Sequence, residues 1–343
     1  MRGALTSRRF LTLGIESSCD DTAVAVLEGP TTVRSSRISS QLELHAPYGG
    51  VVPELASRDH QERILPLVFS ALSEAGVTDP GTELALIGVT IGPGLMGSLM
   101  VGVMTAKALA QAWKVPLLGV NHLEGHLFAN VIQNPGLKPP FLTLLVSGGH
   151  TEVILARAFG DYAVLGCTRD DAAGEAYDKL AKVLGLGYPG GPAVDRLAAK
   201  GNPDAFPLPV PLAETSRVEF SFSGLKTASL NLIRQLEREG PLPVEDICAS
   251  FQKAVVEALL KKVELAVQLT GVRRIAVSGG VAANSGLRRA FSGRKDWEVF
   301  IPPAILCTDN GVMVAAAAYH GYRRGKRTGL DFSPDPALEL LSD

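Results

Sequence analysis

The chain has 343 residues, 46% of them hydrophobic, enough for a large buried core and about two domains. Its net charge of -2 gives no global basic field, so any nucleic-acid contact has to come from a local patch or a partner. The four cysteines (Cys19, Cys167, Cys248 and Cys307) form no C-x-x-C pair, which argues against a zinc ribbon or a disulfide framework; MRGALTSRRF has no apolar signal core, and a reducing cytoplasm is expected.

Leu11–Ile15 and Ala23–Leu27 read as short strands flanking the polar turn Glu16-Ser17-Ser18-Cys19-Asp20-Asp21-Thr22. A helix is predicted over Val52–Ala75. Leu84 to Ala106 carries no charge and is long enough to span a bilayer. Gly92-Pro93-Gly94 breaks it, with Gly97 and Gly102 close behind. The expectation is therefore a buried strand Leu84–Ile91, a glycine turn and a buried helix from about Leu95, with no membrane span.

His122-Leu123-Glu124-Gly125-His126 is the sharpest chemical signal. Residues four apart share a helix face, so both imidazoles can meet one metal ion; two polar residues at a helix start is the plainer alternative. The zinc-protease motif H-E-x-x-H places its general base directly after the first histidine. Here Glu124 stands two positions on, about 200° around the helix, and points away from that face. A protease with this arrangement lacks its base.

After the stretch Asn134-Pro135-Gly136, Leu142–Val146 and Glu152–Ala156 repeat the early pair of strands around the turn Ser147-Gly148-Gly149-His150-Thr151. Two such hairpins about 130 residues apart predict a duplicated α/β domain. The expected domains are 1–138 and 139–330, with 331–343 as a tail.

Further helices are predicted at Ala172–Leu184, Val244–Thr270, Gly286–Phe291 and Gly311–Arg324, and strands at Arg274–Ser278 and Glu298–Ile301. Asp170, Asp171, Glu175 and Asp178 crowd the start of the first of these helices. Carboxylates suit a helix N-terminus, but Asp178 is too far along for that and is a candidate for a ribose or substrate contact. Three glycine-bearing turns can bring backbone N–H groups to phosphate or ribose: Val146–His150, Ser278–Asn284, and Gly190-Gly191-Pro192 ahead of Asp195. Each alone also fits an ordinary turn; together they favour nucleotide binding. The P-loop pattern G-x-x-x-x-G-K-[ST] is absent.

In Cys307-Thr308-Asp309-Asn310-Gly311, Thr308 is expected to cap the last helix and Asp309 to fall in its first turn. Spacing alone favours a carboxylate that complements the helix dipole; a third metal ligand is the alternative. Arg323-Arg324-Gly325-Lys326-Arg327 fits an RNA backbone contact and a solvated helix end equally well.

Ten segments then carry a resemblance. They are GIESSCDDT (14–22), YGGVVPELASRDH (48–60), GPGLMGSLMVG (92–102), NHLEGH (121–126), LLVSGGHTE (144–152), DDAAGEAYDK (170–179), YPGGP (188–192), FSFSGLKT (220–227), SGGVAANS (278–285) and CTDNGVM (307–313). In this order, over nearly the whole chain, they resemble the TsaD family, the tRNA N6-adenosine threonylcarbamoyltransferases once described as O-sialoglycoprotein endopeptidases. Residues 107–126 are also similar to that family's glycoprotease signature. The resemblance implies an actin/Hsp70/sugar-kinase-like (ASKHA) α/β fold of two duplicated domains with an interdomain cleft. It implies one divalent metal per subunit, Fe(2+) or Zn(2+), on His122, His126 and Asp309. Substrate or nucleotide contacts are implied at Leu145, Val146, Ser147, Gly148, Gly149, Asp178, Gly191, Asp195 and Asn284. Archaeal relatives carry a tyrosine before the V-S-G-G turn; Leu145 stands here, so water or substrate is expected in its place.

The implied reaction passes the threonylcarbamoyl group of threonylcarbamoyl-AMP to N6 of adenine 37 in tRNAs reading ANN codons, and AMP leaves. The implied partners are tRNA, a TsaB paralogue paired as a heterodimer through N-terminal helices, and a TsaE ATPase, with no membrane. No Ser-His-Asp or Cys-His nucleophile set is identifiable, so direct transfer is expected. Two other functions share the expected fold. A non-catalytic scaffold is disfavoured because His122, His126 and Asp309 are all present. A sugar kinase would need a clear catalytic base.

Overall fold

The computed structural model describes residues 9–213 and 215–340; the first eight residues of the N-terminal segment and the last three of the expected tail lie outside them. The chain divides into two compact units. One holds the residues up to Gln41, Val51–Pro135 and Asp309–Glu339; the other holds Leu42–Gly50 and Gly136–Thr308.

The first unit is built on strands β1 (Leu11–Glu16), β2 (Asp21–Glu28), β3 (Thr32–Ser40), β4 (Leu84–Gly92) and β5 (Leu117–Asn121), in the order β3-β2-β1-β4-β5. β1 pairs antiparallel with β2 and parallel with β4, and β4 pairs parallel with β5. Every residue of β1 is buried, as a strand covered on both faces requires. Helices α1 (Pro53–Glu74) and α2 (Met96–Trp113) pack against the sheet and each other, and α3 (His122–Gln133) follows β5. On α1, Ile64, Val68, Ala71 and Leu72 recur at helical spacing and join the core formed by β1 and β4.

The second unit repeats the pattern with β6 (Phe141–Val146), β7 (Thr151–Ala158) and β8 (Asp161–Cys167). Then come α4 (Ala173–Val183), α5 (Gly190–Ala198), α6 (Ser223–Glu239) and α7 (Val244–Thr270). β9 (Arg274–Ser278), α8 (Ser285–Ser292) and β10 (Glu298–Phe300) complete it. The sheet order is β8-β7-β6-β9-β10, with β6/β7 antiparallel and β6/β9 parallel. The two sheets are thus wound alike, as the repeated hairpins predict.

Helix α9 (Gly311–Arg323) belongs to the first unit, packing on β1, β2, β4 and α3, although the sequence reading grouped its residues with 139–330. The reason is close packing. A Cβ at Gly14 would fall on the Gly311 carbonyl and 2.5 Å from the Ala315 nitrogen, and one at Gly88 would meet Ala318 at 2.5 Å. Only a small-residue helix such as VMVAAAAYHG can lie on that strand pair.

Among the longer elements of the described residues, β3, β5, β8, α5 and α6 are not predicted from the sequence. β3 is an exposed edge with a single buried residue, Ser35, and shows no apolar alternation. Gly190-Gly191-Pro192 is the first turn of α5 and not a free turn, since proline there sacrifices no intrahelical hydrogen bond. Residues 84–106 form β4 and α2 with the expected break, and among the described residues no helix is long and apolar enough to cross a membrane.

Candidate metal centre

Helix α3, HLEGHLFANVIQ, is buried along all but its last residue, and α9 lies against it. Its N-cap is Asn121, whose side-chain oxygen accepts N–H bonds from Leu123 at 2.8 Å and Glu124 at 3.4 Å. His122 and His126, one turn apart, set their rings edge to face with centroids 4.7 Å apart.

Asp309 reaches both. Its Oδ1 lies 3.5 Å from His122 Nε2 and 3.3 Å from His126 Nε2. Here the helix start differs from the sequence expectation. Asn310, not Thr308, caps α9, its side-chain oxygen accepting the Met313 N–H at 2.9 Å. Asp309 therefore precedes the helix, and its carboxylate turns to the imidazoles.

The three ligand atoms lie within 4.8 Å of one another, and the group can hold a metal ion. The His126 ring supports that fit. Its side chain is almost wholly buried, yet neither ring nitrogen makes a hydrogen bond, a costly state for a polar group that a bound metal would relieve. Two imidazoles and a carboxylate form a donor set for a divalent ion with room left for substrate. Glu124 takes no part; it is buried and paired with Arg324 at 3.2 Å. This also engages one arginine of the basic run, while Arg327 stacks on Tyr322.

Behind the histidines stands a residue that the sequence pattern places in the polar turn and the structure at the end of β1. Glu16, fully buried at the end of β1, has one carboxylate oxygen 3.3 Å from His122 Nδ1. Burial acts most strongly and would raise the Glu16 carboxyl, but His122 and the Ser18 hydrogen bond together hold it below its usual value. Burial likewise acts to lower the His122 imidazole, and Asp309 and Glu16 together raise it to about 9. A carboxylate closing an otherwise apolar strand was the available signal.

In the second unit, Leu145 and Val146 are wholly buried in β6, paired with Glu152 and Thr151 of β7. The turn after them is clamped. Gly174 N–H donates to the Ser147 carbonyl at 3.1 Å, and a Cβ on Gly174 would come within 2.8 Å of Gly148 Cα. Gly148 and Gly149 differ: a Cβ on either meets nothing within 4 Å. Asp178 accepts the Gly190 N–H at 2.7 Å, beside Gly191 in the first turn of α5. Asp195, also on α5, accepts the Ser285 N–H at 3.0 Å and its hydroxyl at 2.8 Å. Asn284 caps α8 through Leu287 N–H at 2.9 Å and donates to Gln252 at 2.7 Å. Asp195 and Asn284 thus meet at the start of α8, and Asp178 and Gly191 at the start of α5. Of the other acids, Asp170 holds Ser221, Phe222 and Ser223, and Asp171 pairs with Lys179 and Lys226.

Comparison with known proteins gives this geometry a context. The sequence profile of TsaD, tRNA N6-adenosine threonylcarbamoyltransferase, matches residues 32–316. The tRNA N6-adenosine threonylcarbamoyltransferase of Anaeromyxobacter dehalogenans (strain 2CP-C) is 50% identical over 333 residues, 96% of this chain and 99% of the relative. The protein of the same name from Dictyoglomus turgidum is 49% identical over 335 residues, again 96% and 99%. Among solved structures, HypF of T. kodakarensis aligns with a TM-score of 0.62 at 19% identity, over 93% of this chain and 48% of that one. Component A of the Acidaminococcus fermentans (R)-2-hydroxyglutaryl-CoA dehydratase aligns with a TM-score of 0.56 at 16% identity, over 92% and 99%. At such identities these two speak for the ASKHA fold alone, whereas the close relatives span the His122–His126 helix, the glycine turns and the Asp309 segment together. The chain belongs to the TsaD family of tRNA N6-adenosine threonylcarbamoyltransferases.

Proposed function

We propose that this chain transfers the threonylcarbamoyl group of threonylcarbamoyl-AMP to N6 of adenine 37 in tRNAs reading ANN codons, releasing AMP. The observation that carries the reading is the His122–His126–Asp309 group, in a chain half identical to named transferases. In the reaction, adenine N6 attacks the carbamoyl carbon. A new C–N bond forms, the bond from that carbon to the phosphate oxygen breaks, and N6 gives up a proton. One divalent ion, Fe(2+) or Zn(2+), is the proposed cofactor, and when bound it supplies a Lewis acid.

The adenylate is assigned to the second unit. The segment Leu145, Val146, Ser147, Gly148 and Gly149 is assigned to the phosphate, which Gly148 and Gly149 let approach the backbone with no side chain in the way, easing negative charge on departing AMP. Asp178, Gly191, Asp195 and Asn284 are assigned to the same substrate, with Asp178, Asp195 and Asn284 also bracing the starts of α5 and α8. Gly148→Val tests the placement. The open space at its Cβ lets the protein fold, while a branched side chain stands where phosphate must approach. AMP affinity by calorimetry is expected to fall at least about tenfold, roughly 1.4 kcal/mol. A folded variant with unchanged affinity would put the phosphate elsewhere.

The partners proposed are tRNA, a TsaB paralogue and a TsaE ATPase, in the cytoplasm. The face proposed for the paralogue lies on α1 and α2, where Leu65, Phe69, Met96, Met100 and Met104 are exposed while Ile64 and Val68 serve the core. The whole reading is tested by reconstitution from the purified chain, threonylcarbamoyl-adenylate and tRNA. N6-threonylcarbamoyladenosine is expected over many turnovers only with both partners present. Full turnover from the chain alone refutes the dependence, and no product under any combination refutes the activity.

A further inference from the structure

We infer that Glu16 is a positioning residue for His122: its carboxylate accepts a hydrogen bond from Nδ1–H and so presents Nε2 as the ligating nitrogen. The inference rests on the metal reading above. Glu16, Thr90 and His122 stand at the C-terminal ends of the parallel strands β1, β4 and β5, where open α/β sheets build their sites.

A fully buried carboxylate needs donors, and Glu16 collects three. One oxygen accepts the Ser18 N–H at 2.6 Å; the other accepts the Thr90 hydroxyl at 2.5 Å and faces His122 Nδ1 at 3.3 Å. The Ser18 hydroxyl is the second neighbour of Nδ1, at 3.1 Å. An ionised carboxylate only accepts, so the imidazole must carry its proton on the nitrogen turned to it. With Nδ1 keeping its proton for the carboxylate, Nε2 is the nitrogen that can yield its own to a metal, and it is the one directed at Asp309. His126 has no such anchor, since neither of its ring nitrogens is hydrogen-bonded. The two histidines are therefore unequal: one is oriented in advance, the other only by what it binds. Carboxylates that hold a ligating imidazole in this way tune metal affinity without touching the ion.

The test is Glu16→Gln in the full chain, which keeps the size and an acceptor for Ser18 N–H. Zinc affinity, measured by competition with a chelator, is expected to fall about 10–100-fold, with the thermal midpoint of the metal-stripped protein near wild type. In the zinc-loaded wild type, nitrogen-15 histidine spectra are expected to show His122 protonated at Nδ1 and unprotonated at Nε2, a signature that mere bracing of the Ser18 turn would not produce. A folded Glu16→Gln protein with wild-type zinc affinity, or a His122 proton found on Nε2, overturns the inference and leaves the metal reading standing. Wild type that takes up no zinc or iron overturns the metal reading first. Should Glu16→Gln fail to fold, Thr90→Val removes only the hydroxyl that steadies the same oxygen. It is expected to weaken zinc severalfold, and unchanged affinity there is equally fatal.

Discussion

His126→Ala is expected to fold, to bind no divalent metal and to lose about a thousandfold in transfer rate, roughly 4 kcal/mol of transition-state stabilisation. Folding should survive because the substitution removes two buried nitrogens that make no hydrogen bond. What goes is one of three donors, and Asp309 and His122 alone make a poor site for a catalytic ion. Atomic emission for metal, circular dichroism for fold and single-turnover transfer to tRNA give the three readouts. Chelation of wild type should reproduce the loss and added metal should reverse it. A folded, metal-free variant that modifies tRNA at the normal rate would falsify the metal requirement.

Gly14→Val is expected to cost at least about 3 kcal/mol and to lose the metal as well, although residue 14 is not a ligand. The new Cβ would strike the Gly311 carbonyl and crowd the Ala315 nitrogen, both backbone and unable to rotate aside. Helix α9 must shift, and Asp309 at its threshold shifts with it. Denaturant midpoint and metal content should therefore fall together. Wild-type values of both would show that the strand and helix have slack that the spacing denies.

Much of this was legible in the sequence, for identifiable reasons. The long helix Val244–Thr270 was readable end to end because its apolar positions keep one period. His122 and His126 were readable as a pair because helical geometry fixes what four residues mean. Asp309 was not decidable from spacing, since a carboxylate before a helix suits the dipole and a metal alike. In the structure Asn310 takes the cap, so Asp309 precedes the helix and its carboxylate faces the two imidazoles. Asn284 had read as a possible substrate contact, and the structure shows its amide also capping α8. β3 stayed hidden because an exposed edge strand needs no alternation. The allegiance of α9 was invisible because chain order places it late, while the complementarity of Gly14 and Gly88 with Ala315 and Ala318 exists only in three dimensions.

That late helix also sets a timetable for the ribosome. Roughly 190 residues separate His122 from Asp309, and at about 5–20 residues per second their synthesis takes about 10–40 s. Throughout that interval the first sheet lacks the helix that covers β1 and β4, and the two histidines lack their carboxylate. The nascent first unit is thus an open, apolar surface of the kind chaperones hold, with long-range contacts still to close. A chain released just before Asp309 carries both imidazoles and all five of the first sheet's strands, yet has neither a sealed core nor the carboxylate that faces the histidines, so premature termination leaves a target for proteolysis and not a weakened enzyme.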